Sequence, residues 1–141
     1  MSGNELLLDI AAFPYYGQID VSDVAGRDLP EGTSADGPTA FTDHTVYVYT
    51  MSVDQAVERD QNVRVRVYRG SDTTGLGSLV FDRDIEFTEP PRLGVYQPLT
   101  DEPEDGGGAV SIERTGPVHI QIFINPPQDA EEVNVLIRYD L

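Results

Sequence analysis

Apolar side chains recur at every second position in most of the hydrophobic segments of this chain, which is the period of a strand with one face on a core. Val118, Ile120, Ile122 and Ile124 alternate with His119, Gln121 and Phe123, and Val133, Val135, Ile137 and Tyr139 alternate with Asn134, Leu136 and Arg138. Between these runs lie Pro126 and Pro127, which cannot donate ladder hydrogen bonds and therefore mark the connection of a long hairpin. Val63, Val65 and Val67 alternate with Arg64, Arg66 and Tyr68, while residues 45–52 and 78–87 are two further β-branched and aromatic runs. Weaker strand signals cover residues 6–10, 15–21, 93–97 and 109–113. Helical spacing occurs once, at Val53, Ala56 and Val57 after Ser52, a residue suited to capping.

Eight or nine short strands separated by Gly, Pro and Asp clusters predict an all-β fold. The expected architecture is a two-sheet antiparallel β-sandwich, either jelly-roll or immunoglobulin-like. With 141 residues the chain has the size of one domain spanning residues 1–141. Three connecting segments stand out, at residues 25–38, 70–77 and 98–108. Ligands and neighbours bind at such loops, although plain connectors have the same composition.

Composition narrows the chemistry. There is no Cys, so thiolate metal sites, disulfides and cysteine nucleophiles are excluded. The acids number 25 against nine bases, every one of them Arg, for a formal charge of -16. Such a chain repels nucleic acid and anionic lipid. No apolar run approaches the length of a membrane span, and residues 1–13 lack the basic start and clean apolar stretch of a secretory signal. The two histidines, His44 and His119, have no supporting motif for acyl transfer and are too few for a histidine metal site.

Oxygen ligands are plentiful. Asp101, Glu102, Glu104 and Asp105, running into Gly106, Gly107 and Gly108, are the candidate calcium ligands, calcium being the one cofactor the sequence suggests. An EF-hand beginning at Asp101 fails, because Ile112 stands where a bidentate Glu is needed. A solvated acidic loop is the competing reading. Arg64 and Arg66 form an apparent anion stripe, but Asp82, Asp84 and Glu86 alternate on the strand that follows and could oppose them across a ladder. Arg83 then falls on the inward side with Phe81 and Ile85, which implies a bulge or an edge.

Candidate contact residues are apolar. Leu6, Leu7, Leu8, Phe13, Tyr15 and Tyr16 make a nearly unbroken arm within residues 1–16, suited to docking on a neighbour or to a strand buried on both faces. Tyr47 and Tyr49 share the face of their strand opposite Val46 and Val48, as a sugar platform, a second apolar layer or a contact with another chain.

The Asp-rich, Lys-free composition, with fifteen Asp and ten Glu, resembles that of proteins of salt-loving archaea and their viruses. Together with the sandwich pattern and the apolar arm, it resembles the small capsid, penton or decoration proteins of viruses of halophilic archaea. That resemblance implies a non-enzymatic structural subunit in a virion, assembling as a homo-oligomer or with neighbouring capsid proteins. The alternatives are a calcium- or carbohydrate-binding module and a cytoplasmic location.

Overall fold

The computed structural model describes residues 3–28, 37–98, 100 and 107–140. Among them the alternating runs become strands of two five-stranded sheets. The first sheet has the order β1-β5-β10-β9-β6, with β1 at Glu5–Ala12, β5 at Val63–Arg69, β10 at Glu132–Arg138, β9 at Gly116–Asn125 and β6 at Ser78–Phe87. The second has the order β3-β4-β2-β7-β8, with β3 at Thr39–Phe41, β4 at Thr45–Tyr49, β2 at Gln18–Asp23, β7 at Arg92–Tyr96 and β8 at Gly107–Ser111. The sandwich expected from the sequence is the fold observed. One pairing departs from the antiparallel rule: β10 runs parallel to β5.

The core lies between the sheets. Val63, Val65, Val67, Val118, Ile120, Ile122, Val133, Val135 and Ile137 of the first sheet meet Ile19, Val21, Val46, Val48, Leu93 and Val95 of the second, all at most 1% exposed. Each such side chain contributes about 1.5–3 kcal/mol on leaving water. Slipping a strand by one residue would send its whole apolar set to the outside, so burial fixes register.

The arginine stripe of β5 does not face the acids of β6, as the sequence suggested, because β5 sits between β1 and β10 while β6 pairs with β9 at the sheet edge. The partners of Arg64 and Arg66 are Asp9 on β1 and Glu132 on β10. Arg83 is on an edge strand with a bulge between Leu79 and Phe81, and its guanidinium lies 4.7 Å from the centre of the Phe41 ring.

Residues 5–12, expected within a docking arm, form a regular strand of the first sheet, with a bulge between Leu6 and Leu8. Leu7 and Leu8 pack partly on the core, whereas Leu6 is 51% exposed. The 70–77 connection folds back over the outer face of the first sheet, where Leu76, Phe123, Leu136 and Tyr68 form a second small apolar cluster. Asn134 Nδ2 donates to the Leu76 carbonyl at 2.8 Å and holds it there.

Candidate protein-docking surface

On the outer face of the first sheet, His119 stands directly opposite Asp84 across the β9–β6 ladder. Its Nδ1 is 2.9 Å from Asp84 Oδ1, and its Nε2 pairs with Asp82 Oδ1. Gln121 Nε2 donates to the same Asp82 oxygen at 3.3 Å, and Arg138 Nη1 donates to Gln121 Oε1 at 2.9 Å. Burial of the ring, the largest single influence, favours neutral imidazole, but the hydrogen bonds and charges of Asp82 and Asp84 prevail and raise the His119 pKa. With a carboxylate on each nitrogen, the ring ties two acids together. It has no nitrogen left to act as a base.

The second histidine is engaged through one nitrogen. His44 Nδ1 lies 2.9 Å from the Glu86 carbonyl and 3.2 Å from Asp23 Oδ2. Thr88 supplies both its backbone N–H and its hydroxyl to Asp23 Oδ2, at 3.1 and 2.8 Å. The Thr88 hydroxyl therefore points at the carboxylate and not at the imidazole, so this arrangement is no nucleophile–base pair.

The β5 arginines line a depression of about 420 Å³ with Ala11, Asn125, Glu131 and Glu132. Their charge is already answered: Arg64 makes a two-pronged contact with Asp9, at 2.6 and 2.7 Å, and Arg66 lies between Asp9 and Glu132. The hydrogen bond from Arg64 holds the Asp9 carboxyl below its usual pKa.

On the outer face of the second sheet, Asp20 is buried beneath the chain that follows β2. Arg27 Nη2 bonds Asp20 Oδ2 at 2.9 Å, Arg27 Nη1 donates to the Thr100 carbonyl at 2.5 Å, and the guanidinium stacks 3.8 Å from the Tyr96 ring centre. One arginine thus ties two connections to the sheet. Tyr47 and Tyr49 occupy this face, as expected from their spacing, and both are half-buried. Tyr49 lines a depression of about 440 Å³ with Pro38, Val80, Ile124 and Pro127.

Asp101, Glu102, Glu104 and Asp105 lie outside the described residues. Among the described residues no group of three or more His, Cys, Asp or Glu is placed to hold a metal. No helix among them is long and apolar enough to cross a membrane.

The remaining candidates meet at one end of the sandwich. The chain passes from β1 to β2 through a tight turn at residues 15–18, closed by the Gln18 N–H on the Tyr15 carbonyl. Both central residues, Tyr16 and Gly17, have positive φ, at 58° and 70°, the requirement of the mirror-image type I′ turn. Gly17 meets that requirement freely, but a tyrosine at Tyr16 costs about 1–2 kcal/mol relative to right-handed backbone. Burial of the ring does not repay it, since Tyr16 is 73% exposed. Tyr15 is 39% exposed, with its ring edge-on to Phe13 at 4.8 Å.

The turn packs against α1, at Val53–Arg59, the one α-helix among the described residues. Ser52 caps α1 by accepting from the Gln55 N–H at 3.1 Å, while Gln55 Oε1 accepts from the Ser52 N–H at 2.8 Å. Ala56 turns inward, and Val57 is 66% exposed. Asp54 precedes it by three residues on α1, and Asp60 follows as the left-handed C-cap, both exposed. A depression of about 440 Å³ lined by Ala11, Phe13, Ala56, Val57, Asp60 and Gln61 runs beside them. Of the sequence candidates, Phe13 shares this depression with Val57, which the sequence reading assigned to a helical turn without a role, while Tyr15 and Tyr16 stand on the turn that adjoins α1. Leu6 and the two β4 tyrosines lie elsewhere.

No family model and no curated protein matches the chain. Among solved structures, one that matches is the crystal structure of ComJ, inhibitor of the DNA degrading activity of NucA, from Bacillus subtilis. The chain is similar in fold to ComJ. The likeness covers 97% of this chain and 98% of ComJ, with a TM-score of 0.64 and 11% sequence identity. At that identity ComJ is a guide to architecture. The match corrects the expectation of a virion capsid, penton or decoration subunit: the sandwich matched along nearly its whole length is that of a nuclease inhibitor.

Proposed function

We propose that this protein is a non-enzymatic inhibitor that binds a DNA-degrading nuclease and shuts its DNA-binding surface. The observation that carries this reading is the end-to-end likeness in fold to ComJ, inhibitor of the DNA degrading activity of NucA. Charge supports it independently. A protein that grips DNA does so with basic side chains facing phosphates, and a partner of formal charge -16 is drawn to that same surface. Such steering accelerates encounter and discriminates against acidic partners. The His119 ring, with a carboxylate on each nitrogen, is used in a cross-strand tie.

The test is degradation of supercoiled plasmid by a panel of basic nucleases that includes NucA, in millimolar magnesium so that carboxylates do not merely sequester the metal. Stoichiometric suppression of at least one nuclease is expected, with no effect from polyglutamate at equal charge. Full activity of every nuclease at hundredfold molar excess of the protein would overturn the proposal.

A further inference from the structure

We infer that the partner docks on the end of the sandwich where Tyr16 stands beside α1. Its occupant is the basic rim of a protein's nucleic-acid-binding cleft, with Tyr16 and Val57 entering an apolar recess. This rests on the inhibitor reading above and adds the face that performs it.

Tyr16 is a residue in the wrong place for folding. The first central position of a mirror-image turn favours Asn, Asp or Gly, yet here it holds Tyr16, in left-handed backbone and 73% exposed. A turn selected for stability would not keep it. The neighbouring helix repeats the pattern, because Val57 is β-branched, a poorer helix former than Ala, Glu or Lys, and 66% exposed. Two residues that weaken their own elements therefore project from adjoining segments, with the half-exposed Tyr15 beside Tyr16 and a depression of mixed polar and apolar lining beside Val57. Backbone strain held at one exposed site points to use of that site, and an aromatic anchor ringed by polar groups is the form of an interface hot spot.

Charge selects the occupant. Asp54 lies one turn before Val57 on α1, and Asp60, at the left-handed C-cap, lines the same depression as Val57, so acids neighbour the apolar contact. A second copy of this chain would bring the same -16 formal charge to the contact. Nucleic acid and anionic membrane are repelled for the same reason. A protein surface carrying arginines and lysines around an apolar pocket complements both parts.

Two variants remove the anchors without removing core. Tyr16→Gly relieves the backbone, and Val57→Ser exchanges one exposed side chain for another. Leu79→Ser, an exposed apolar residue on β6, is the control. Melting temperatures and inhibition constants are measured together. Tyr16→Gly and Val57→Ser are each expected to weaken inhibition at least tenfold, with melting temperatures at or above that of the unaltered protein for Tyr16→Gly. Leu79→Ser is expected to stay within twofold. Asp54→Asn is expected to weaken inhibition chiefly through slower association and a shallower salt dependence. If the unaltered protein inhibits and the Tyr16→Gly/Val57→Ser double variant inhibits equally well, the docking assignment is wrong and the inhibitor reading stands. If the unaltered protein inhibits no nuclease, both fall.

Discussion

Arg27→Met tests the account of how the second sheet holds its connections. The Asp20 side chain is 4% exposed and Arg27 22%, with 2.9 Å between Arg27 Nη2 and Asp20 Oδ2. Breaking one side of a buried pair costs about 3–5 kcal/mol, because a charge is left without its partner in a poorly solvated place. Here the lower end applies, about 3 kcal/mol, since the guanidinium is partly solvated and Gln18 Nε2 continues to donate to Asp20 Oδ1 at 3.0 Å.

The pH dependence follows from the direction of the Asp20 shift. Burial, the dominant influence, raises its pKa above the ordinary 3.8, against the hydrogen bonds from Gln18 and Arg27 that lower it. An acid raised on folding opposes folding in full above its folded pKa and not at all below its unfolded one. Removing Arg27 raises the folded value further, so the deficit should be greatest at pH 7 and shrink towards pH 4. With no Trp in the chain, urea unfolding is followed by far-ultraviolet circular dichroism. Adding Asp20→Asn to Arg27→Met should recover most of the loss at pH 7. A deficit under about 0.5 kcal/mol at pH 7, or one that does not change with pH, would refute the reasoning.

Other consequences are as direct. His119 and His44 both have raised pKa values, so the stability they contribute is complete below about pH 6.5 and lost as pH rises through their folded values. His119→Gln should flatten that decline in unfolding experiments between pH 6 and pH 9; an unchanged slope would remove the carboxylate tie as its cause. Ser52→Ala should cost about 1 kcal/mol of unfolding free energy by loss of the α1 cap, and an unaltered urea midpoint would contradict the capping role. Raising salt from 0.1 to 1 M shortens the screening length from about 10 to about 3 Å, so a protein of formal charge -16 should unfold at higher temperature in the stronger solution. A melting temperature that is flat or falls with salt would show that self-repulsion does not limit stability.

The strands were legible wherever one face meets the core, as in the valines of β5 and the isoleucines of β9, because period two and burial have one cause. Even α1 was legible from Ser52 and the spacing of Val53, Ala56 and Val57. Neighbours were not: alternation states which face a side chain takes and is silent on which strand lies beside it. Arg64 and Arg66 were therefore matched with Asp82, Asp84 and Glu86 when Asp9 and Glu132 hold them. The three-residue β3 is too short to show a period at all. At the docking end, Gly17 hints at a turn, yet a left-handed Tyr16 has no sequence signature, since tyrosine rarely takes that conformation. The virion expectation came from composition, which reports on solvation and charge and leaves the partner open.

Displacement of a fluorescent DNA duplex from a catalytically inactive nuclease is the most direct measurement of the central claim. Added to a nuclease it inhibits, the protein should release the duplex in proportion to its concentration, with a tight one-to-one endpoint that weakens as salt rises. A nuclease that keeps its DNA while the protein is bound, or that binds no protein at all, would contradict the account.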